Sequence, residues 1–320
     1  MPRILTDRVP IGISACVYNC PVRYNGKAFN ALRVMGREAQ DFSFTPVCPE
    51  CLAGFGVPRM PVHLTGTGQE VLAGEAHVKD RGGHDRTEAL VAGSLAAIEA
   101  LERAGVEAFI AKEASPSCGL FKARVGKRRT EQAGGAGVFG AMLLERGWFL
   151  IPDEGLANPL LWWDWRRRLH AWLWLKRQPI SKAAELYDAW HVVKFVVQET
   201  NRPLADGVGR ALAALPKNPG SARLEELRIQ MLDALRAPST RSRIRGALRK
   251  AFAHARTSGE LVDIDLYGVD VESADRIENV DTLVRELVTL ERVSFENDLL
   301  FGTSPVIRRD RRRVAVRDEK

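Results

Sequence analysis

Three short apolar segments in the first half of the chain each run into a turn that carries a cysteine. The first segment ends near Cys16, the second leads directly to Cys48, and the third leads into the loop that contains Cys118. The segments span residues 9–17, 41–47 and 106–111. Each has the length and apolar content of a buried strand. In layered α/β folds reactive groups lie on the loops that follow the carboxyl ends of strands, so we expect the three cysteines to converge.

Strands and helices are predicted to alternate up to about residue 152. Helices are predicted over residues 28–40 and 86–104 and from Gly134–Gly140 to residue 146, a last strand over 148–151, and a Gly/Pro-rich loop over 51–67. This order favours an α/β, Rossmann-like layered domain with a mostly parallel sheet. Gly134–Gly137 is predicted to be a tight turn, with a phosphate cradle as the alternative.

A domain boundary is predicted at Pro152–Pro159, because the pattern after it is almost wholly helical. Helices are predicted over residues 183–197, 221–237, 241–255 and 280–293. We therefore expect one domain over residues 1–155 and an all-α domain over 156–320. Between them, Leu160–Arg177 interleaves five tryptophans with arginines. A helix that docks the two domains is the favoured interpretation, and membrane-surface contact or base stacking is the alternative.

Composition favours an intracellular metal or catalytic protein. With 45% hydrophobic and 27% charged residues, the chain has enough apolar material for a sizeable core. The first residues have no apolar stretch typical of a signal peptide, and the number of cysteines, five, is odd. We therefore expect metal binding or catalysis rather than a disulfide framework. We expect a cytoplasmic location. No stretch reaches the roughly 18 uncharged apolar residues of a membrane span, so no membrane partner is expected.

The positive charge is segregated along the chain. The formal net charge is +7. Basic residues cluster at residues 122–129, 166–168, 241–250 and 308–317, and acidic residues concentrate between 260 and 298. This pattern favours a surface for a nucleic-acid backbone, although a basic enzyme would share the net charge. The candidate RNA-binding residues are Arg241, Arg243, Arg245, Arg249 and Lys250.

The cysteines allow two kinds of metal site. Cys48 and Cys51, joined by Cys16 and Cys20, could form a closed four-thiolate zinc site in a non-catalytic RNA-interaction protein. Alternatively, Cys16, Cys48 and Cys118 could hold an iron–sulfur cluster and leave one iron open to substrate. Spacing does not choose between them.

The motifs around these cysteines resemble those of the thiouracil desulfidase family, an iron–sulfur family. The resemblance covers about residues 9–152, with the motifs in family order: Ser14-Ala15-Cys16, Val22-Arg23-Tyr24-Asn25-Gly26, Pro46-Val47-Cys48-Pro49-Glu50, Gly56-Val57-Pro58-Arg59, Gly83-His84-Asp85-Arg86-Thr87 and Ser115-Pro116-Ser117-Cys118-Gly119. It implies that Cys16, Cys48 and Cys118 hold a 4Fe-4S cluster. It also implies that Glu50 and Ser115 are catalytic residues that do not bind the cluster. The sequence differs from the family pattern at Cys20, Cys51 and Asn25.

These roles agree with the chemistry of replacing a thiocarbonyl by a carbonyl. An open iron is a soft acceptor for the leaving sulfur. Glu50 could activate water or protonate the ring, and Ser115 could orient the base. Without the resemblance, Glu50 could equally be a surface carboxylate and Ser115 a turn residue. Arg23 and Arg59 are candidates for holding a substrate phosphate or ring oxygen.

The second half resembles, over residues 184–197 and 228–238, the helical domain that is fused to the desulfidase part in some family members. Such fused proteins act on 4-thiouridine in tRNA. The resemblance therefore implies that this chain removes sulfur from 4-thiouridine in tRNA, giving uridine and hydrosulfide. Desulfidation of free thiouracil is the alternative.

Overall fold

The computed structural model describes residues 3–126, 134–237, 239–240, 242–243, 246, 287–288, 290–292, 295–296 and 303–310. The chain forms two units, Arg8–Ala157, and Asn158–Lys320 together with Met1–Asp7. The first few residues thus belong with the helical unit, because Ile4–Leu5 pairs in parallel with Ile307–Arg308. The sequence-based division at residue 155 did not include this pairing.

A parallel four-stranded sheet organises the first unit. The strands described in the chain are β1 (Ile4–Leu5), β2 (Val9–Ser14), β3 (Phe42–Val47), β4 (Val62–Leu64), β5 (Val78–Asp80), β6 (Ala108–Ala111), β7 (Phe149–Pro152) and β8 (Ile307–Arg308). The sheet has the order β3-β2-β6-β7, and every pairing in it is parallel. The predicted α/β fold with a parallel sheet is therefore confirmed. Because all four strands run the same way, their carboxyl ends lie at one edge.

The helices of the first unit are α1 (Pro49–Leu52), α2 (Gly68–Leu72), α3 (Thr87–Arg103) and α4 (Val138–Glu145). The prediction of a loop over residues 51–67 is wrong in part, because this range contains the end of α1 and the strand β4. Strand β4 pairs in antiparallel fashion with β5. A pair of three-residue strands is too short to give a periodic signal, which explains why the sequence did not reveal it. The helix predicted over residues 28–40 is a 3-10 helix, Ala31–Asp41, interrupted at Gly36 by a positive φ of 50°.

Two glycines allow close packing beneath the site. A Cβ atom at Gly12 in β2 would lie 2.5 Å from the ring of Phe109, so only glycine lets that ring pack against the sheet. A Cβ atom at Gly93 in α3 would lie 2.5 Å from the carbonyl oxygen of Pro49. Glycine at this position therefore lets α1 lie directly against α3, which fixes the position of the residues that follow Cys48.

The helical unit contains α5 (Pro159–Arg177), α6 (Ala183–Thr200), α7 (Arg202–Ala213) and α8 (Ser221–Arg236). The five tryptophans of α5 are at most 5% exposed. Arg167 is fully buried and binds Asp164 at 2.7 Å and Glu199 at 2.5 Å. The tryptophans of α5 are therefore core residues of this unit, and membrane-surface contact or base stacking by them is wrong. The helices predicted over 241–255 and 280–293 fall largely outside the described residues.

None of the helices in the described parts of the chain is long and apolar enough to cross a membrane.

Candidate functional site

The three candidate cluster ligands follow three neighbouring strands of the parallel sheet. Cys16 lies two residues after β2, Cys48 directly follows β3, and Cys118 lies in the loop after β6. Ser14 at the end of β2 is in register with Val47 at the end of β3. The cysteines therefore lie at the same edge of the sheet, as the strand–turn pattern predicted.

Burial raises the pKa of all three thiols. The pKa of Cys16 rises to about 11 and that of Cys48 to about 12, mainly because burial disfavours the thiolate. Burial also raises the pKa of Cys118 well above its ordinary range, and the neighbouring Cys48 and Cys16 raise it further. This mutual influence of the three thiols is evidence that they share one site. A bound metal centre would stabilise the thiolates and displace their protons.

Ser14 is a site residue whose role the sequence did not reveal. Its side chain forms a hydrogen bond with the Cys118 thiol, which lowers the pKa of that thiol against the larger effect of burial. The Ser14 Oγ atom also accepts a 3.0 Å hydrogen bond from the backbone N–H of Lys112. The hydroxyl therefore links the end of β2 to the start of the loop that carries Cys118. The only available signal was its place in the Ser14-Ala15-Cys16 motif.

Glu50 faces the thiols and is held at both carboxylate oxygens. It lies in α1, where Pro49 occupies the first turn and Cys48 is the residue before the helix. Ser117 Oγ donates to Glu50 Oε1 at 2.5 Å, and Arg59 Nε donates to Glu50 Oε2 at 2.7 Å. The Glu50 side chain is only 13% exposed. Glu50 is therefore a fixed and nearly buried carboxylate, and the alternative of a surface carboxylate is wrong.

Arg59 is directed into the protein rather than toward solvent. Its side chain is 5% exposed, and all three guanidinium nitrogen atoms have protein acceptors. Besides the bond to Glu50, Nη1 donates to the carbonyl oxygens of Val22 and Gly56 at 2.8 and 2.9 Å, and Nη2 lies 3.9 Å from Cys48 Sγ. Burial alone would lower the pKa of Arg59, but Glu50 reverses this and the pKa is raised. In this arrangement Arg59 contacts the catalytic and ligand candidates, and its predicted contact with substrate stays a prediction.

Ser115 begins the tight loop that carries Cys118. Its Oγ atom accepts hydrogen bonds from the backbone N–H groups of Ser117 at 3.2 Å and Cys118 at 3.1 Å. This is the role of a turn residue, the alternative that the sequence left open. The hydroxyl hydrogen of Ser115 is not used in either bond. Its predicted catalytic role therefore stays a prediction.

The loop that carries Cys118 is held in place by contacts on two sides. The buried Glu113 carboxylate accepts backbone N–H bonds from Leu120 at 3.3 Å and Lys122 at 3.2 Å. On the other side, the N–H of Gly140 in α4 donates to the carbonyl oxygen of Ser117 at 3.0 Å. A Cβ atom at Gly137, just before α4, would lie 2.5 Å from that oxygen. Gly137 and Gly140 therefore allow close packing against the Cys118 loop, and the tight turn predicted at Gly134–Gly137 stays a prediction.

Two positive side chains lie near Cys16. The fields of Lys112 and Arg23 both act on its thiol. Lys112 Nζ forms a 2.7 Å ion pair with Asp153, the residue after β7, and Arg23 stacks 4.5 Å over the ring of Phe29. Arg23 is therefore near one candidate ligand, while its predicted contact with substrate is not tested.

The zinc alternative gains no support. Cys51 lies close to Cys48, and its thiol raises the pKa of Cys48 after the larger effect of burial. Among the described residues, which include all five cysteines, no three Cys, His, Asp or Glu side chains are grouped to hold a single metal ion. A zinc ion requires thiolates only about 2.3 Å from one point. A four-iron cluster is larger than one ion and takes thiolates that lie farther apart.

A groove lies beside the segment that carries Arg59. It has a volume of about 600 Å³ and is lined by Pro58, Arg59, Met60, Pro61, Arg81 and Gly82. The loop that presents Arg81 is fixed by Asp80, which binds the Arg86 guanidinium and the His84 backbone. The groove thus combines an apolar wall with a positive side chain.

Most of the candidate RNA-binding residues fall outside the described part of the chain. These are Arg241, Arg245, Arg249 and Lys250. Arg243 is described, and its guanidinium donates to the carbonyl oxygen of Thr200. RNA binding by this segment stays a prediction.

Comparison with known proteins identifies the first half of the chain. A family model described as 2-thiouracil desulfurase matches residues 11–155. The Bacillus subtilis (strain 168) protein YbbK is 32% identical over 149 residues, which are 46% of this chain and 98% of YbbK. A solved structure described as the [4Fe-4S]-dependent thiouracil desulfidase TudS is 29% identical, with 47% of this chain and 93% of that one covered and a TM-score of 0.39. Because a relative that is 32% identical is matched over 98% of its length, and the family model matches residues 11–155, this chain belongs to the 2-thiouracil desulfurase family.

Proposed function

We propose that this chain is a desulfidase that removes sulfur from 4-thiouridine in tRNA, with a 4Fe-4S cluster held by Cys16, Cys48 and Cys118. The observation that carries the proposal is the grouping of three thiols from neighbouring strand ends, one buried and two half-buried, with a carboxylate that faces them. Cys48, Cys16 and Glu50 all act on the thiol of Cys118. Two side-chain donors fix the position of Glu50. A group that reacts with a bound substrate requires such a defined position.

The donor set fits an iron–sulfur cluster. Three thiols are soft ligands of the kind that hold such clusters. Positive groups of Lys112 and Arg23 act on Cys16, and Arg59 lies beside Cys48, so the negative charge of a bound cluster would be partly balanced. The name of TudS assigns a 4Fe-4S cluster to that protein, and the shared family supports the same cofactor here.

The residues around the thiols can support replacement of sulfur by oxygen. A bound cluster with one iron free of protein ligands supplies a soft Lewis acid for the departing sulfur. Glu50 accepts a proton from the water that attacks the thiocarbonyl carbon, since its two donors suit a carboxylate in the acceptor state. Ser115 has a hydroxyl hydrogen left to orient the base. Water and the thiocarbonyl give the carbonyl and hydrogen sulfide, so no oxidant or reductant is consumed.

A tRNA substrate is favoured over a free base by three features. The chain carries a helical unit after the family domain. Its net charge is +7. The groove beside Arg59 pairs an apolar wall with Arg81, which suits a nucleotide. The thiolated base would have to leave its stack to reach Glu50, at a cost of a few kcal/mol. Desulfidation of free thiouracil is the second candidate, since it is the reaction for which the family is named. A cytoplasmic location is part of this proposal.

The test is to purify the protein without oxygen and to measure its visible spectrum, iron and acid-labile sulfide. Hydrosulfide release is then followed with thiolated tRNA, 4-thiouracil and 2-thiouracil as substrates. We expect a brown protein that acts on the tRNA with the highest kcat/KM. If only the free bases are turned over, the tRNA substrate is contradicted, while the proposed desulfidase activity is still supported. A colourless protein that contains zinc would overturn the proposal.

A further inference from the structure

We propose that Arg59 is a positioning residue that couples the acid/base Glu50 to the cluster ligand Cys48. This inference rests on the proposed function. It goes beyond the prediction that Arg59 binds substrate, because it assigns the guanidinium to two protein groups of the reaction site.

The first observation is the direction of the side chain. Arg59 Nε donates to Glu50 Oε2 at 2.7 Å, and Nη2 of the same planar group lies 3.9 Å from Cys48 Sγ. Nη1 lies 3.8 Å from Cys51 Sγ. The planar guanidinium therefore contacts a carboxylate and two thiols. A lysine side chain, with a single ammonium group, cannot make these contacts together.

The second observation is that hydrogen bonds to the backbone hold the Arg59 guanidinium in place. Nη1 also donates to the backbone carbonyl oxygens of Val22 and Gly56 at 2.8 and 2.9 Å. The backbone N–H of Arg59 donates to Tyr24 O at 3.0 Å. Five protein atoms thus hold a side chain that is 5% exposed. Such restraint is expected of a group that must hold its neighbours in place.

Two consequences follow for a bound cluster. Positive charge and N–H donors near a ligand sulfur favour the reduced, more negative state of an iron–sulfur cluster, so Arg59 should raise its reduction potential. Because the same guanidinium binds Glu50, its loss should also release the carboxylate from one of its two donors. Cluster electronics and proton transfer should therefore change together in one variant.

The experiment compares Arg59→Gln and Arg59→Lys with the wild-type protein, each purified without oxygen. Arg103→Gln is the control, since Arg103 is an arginine of the same unit that is 71% exposed and pairs only weakly with Glu99 at 3.6 Å. Iron content, circular dichroism, the reduction potential of the cluster, kcat and KM are measured for each. A protein that retains iron and fold reports the coupling directly, and Arg59→Lys covers the case in which Arg59→Gln does not fold.

We expect the potential of Arg59→Gln to shift to a more negative value and its kcat to fall about 10- to 100-fold, as for other partners of metal ligands. In Arg59→Lys the reduction potential should stay closer to its wild-type value than kcat does, because lysine retains the positive charge but lacks the planar guanidinium. A raised KM with unchanged kcat and potential would show that Arg59 binds substrate and would overturn the inference. Wild-type-like values in both variants would also overturn it. An iron-loaded wild type that desulfidates nothing would contradict the proposed function alone, because the shift in potential still tests the coupling. A wild type without a cluster would overturn both.

Discussion

Ser117 Oγ donates a 2.5 Å hydrogen bond to Glu50 Oε1, although the two residues are 67 positions apart. Ser117 is fully buried and directly precedes Cys118. One short loop therefore supplies both a candidate cluster ligand and a donor to the candidate acid/base. This arrangement predicts that the loop sets the distance between the cluster and Glu50.

Replacing Ser117 with alanine should leave the cluster bound and slow the reaction. A hydrogen bond to a charged group contributes about 1.5–3 kcal/mol, and each 1.4 kcal/mol corresponds to tenfold in rate, so we expect kcat to fall about 10- to 100-fold. Visible absorption and iron content check the cluster, and hydrosulfide release gives kcat. Ser43→Ala, at an exposed serine of β3, is the matched control. A Ser117→Ala protein with normal kcat would show that Arg59 alone positions Glu50.

Glu50→Gln should keep the colour of the protein and lose turnover. The amide keeps the size of the side chain and can still accept one hydrogen bond, but it does not take up a proton from water. General acid–base catalysis contributes about 10²–10⁴-fold, so the loss of kcat should fall in that range. Glu99→Gln, at a glutamate whose side chain is 68% exposed, should be unchanged. Full activity of Glu50→Gln would remove Glu50 from the mechanism.

The convergence of the three cysteines at one edge of the sheet was predictable from the sequence, because it depends on short-range patterns. Cys16, Cys48 and Cys118 each follow an apolar run, and parallel strands bring such positions to one edge without any knowledge of side-chain contacts. The order of motifs then gave the family. Both steps use information that is local in the sequence.

The contacts that shape the site were not predictable in the same way. Ser117 and Arg59 meet Glu50 only after the loop, α1 and the segment at residues 56–61 have all been placed. Gly93 looks like any helix glycine in sequence, yet it admits the backbone of Pro49. These relationships depend on rotamers and on packing across long separations, and single-sequence patterns do not contain them.

Cysteine substitutions separate the ligands from their neighbours. Cys118→Ala should abolish cluster binding, since a cluster with one open iron depends on all three remaining thiolates. Cys20→Ala and Cys51→Ala should keep most of the iron and the visible spectrum. Anaerobic iron and sulfide analysis of the three variants checks this. A bleached Cys20→Ala protein would show that the ligand set is wrong.

The buried His170 predicts a pH dependence of stability in the helical unit. Burial, with the nearby charges of Arg166 and Arg308, lowers its pKa from 6.5 to about 3. Between these values the unfolded chain binds a proton that the folded chain does not, so stability is fully present above pH 6.5 and falls as the pH decreases. At about 1.4 kcal/mol per pH unit, the loss from this group reaches about 2 kcal/mol at pH 5.

Equilibrium unfolding of the full chain, followed by tryptophan fluorescence, measures this dependence. The readout reports mainly the helical unit, because six of the seven tryptophans follow residue 157. His170→Gln should have a shallower change of unfolding free energy between pH 7 and pH 5, even if it is less stable throughout. His191→Gln, at an exposed histidine of α6, should keep the wild-type slope. Equal slopes in all three proteins would contradict a buried neutral His170.

Substitutions in the basic segment test the tRNA substrate. Changing Arg241, Arg243, Arg245, Arg249 or Lys250 to alanine should weaken tRNA binding. The slope of log K against log salt should become shallower by about 1 for each phosphate that the variant no longer neutralises. Turnover of free thiouracil should be unaffected, because a free base has no phosphate to bind.

Fluorescence anisotropy with labelled tRNA at several salt concentrations measures the effect of these substitutions. Arg103→Gln again serves as the charge-matched control, since it removes one positive charge from an exposed position of the first unit. If the alanine variants bind tRNA with the wild-type affinity and salt slope, the segment is not the RNA-binding surface. The positive charge must then act elsewhere on the chain.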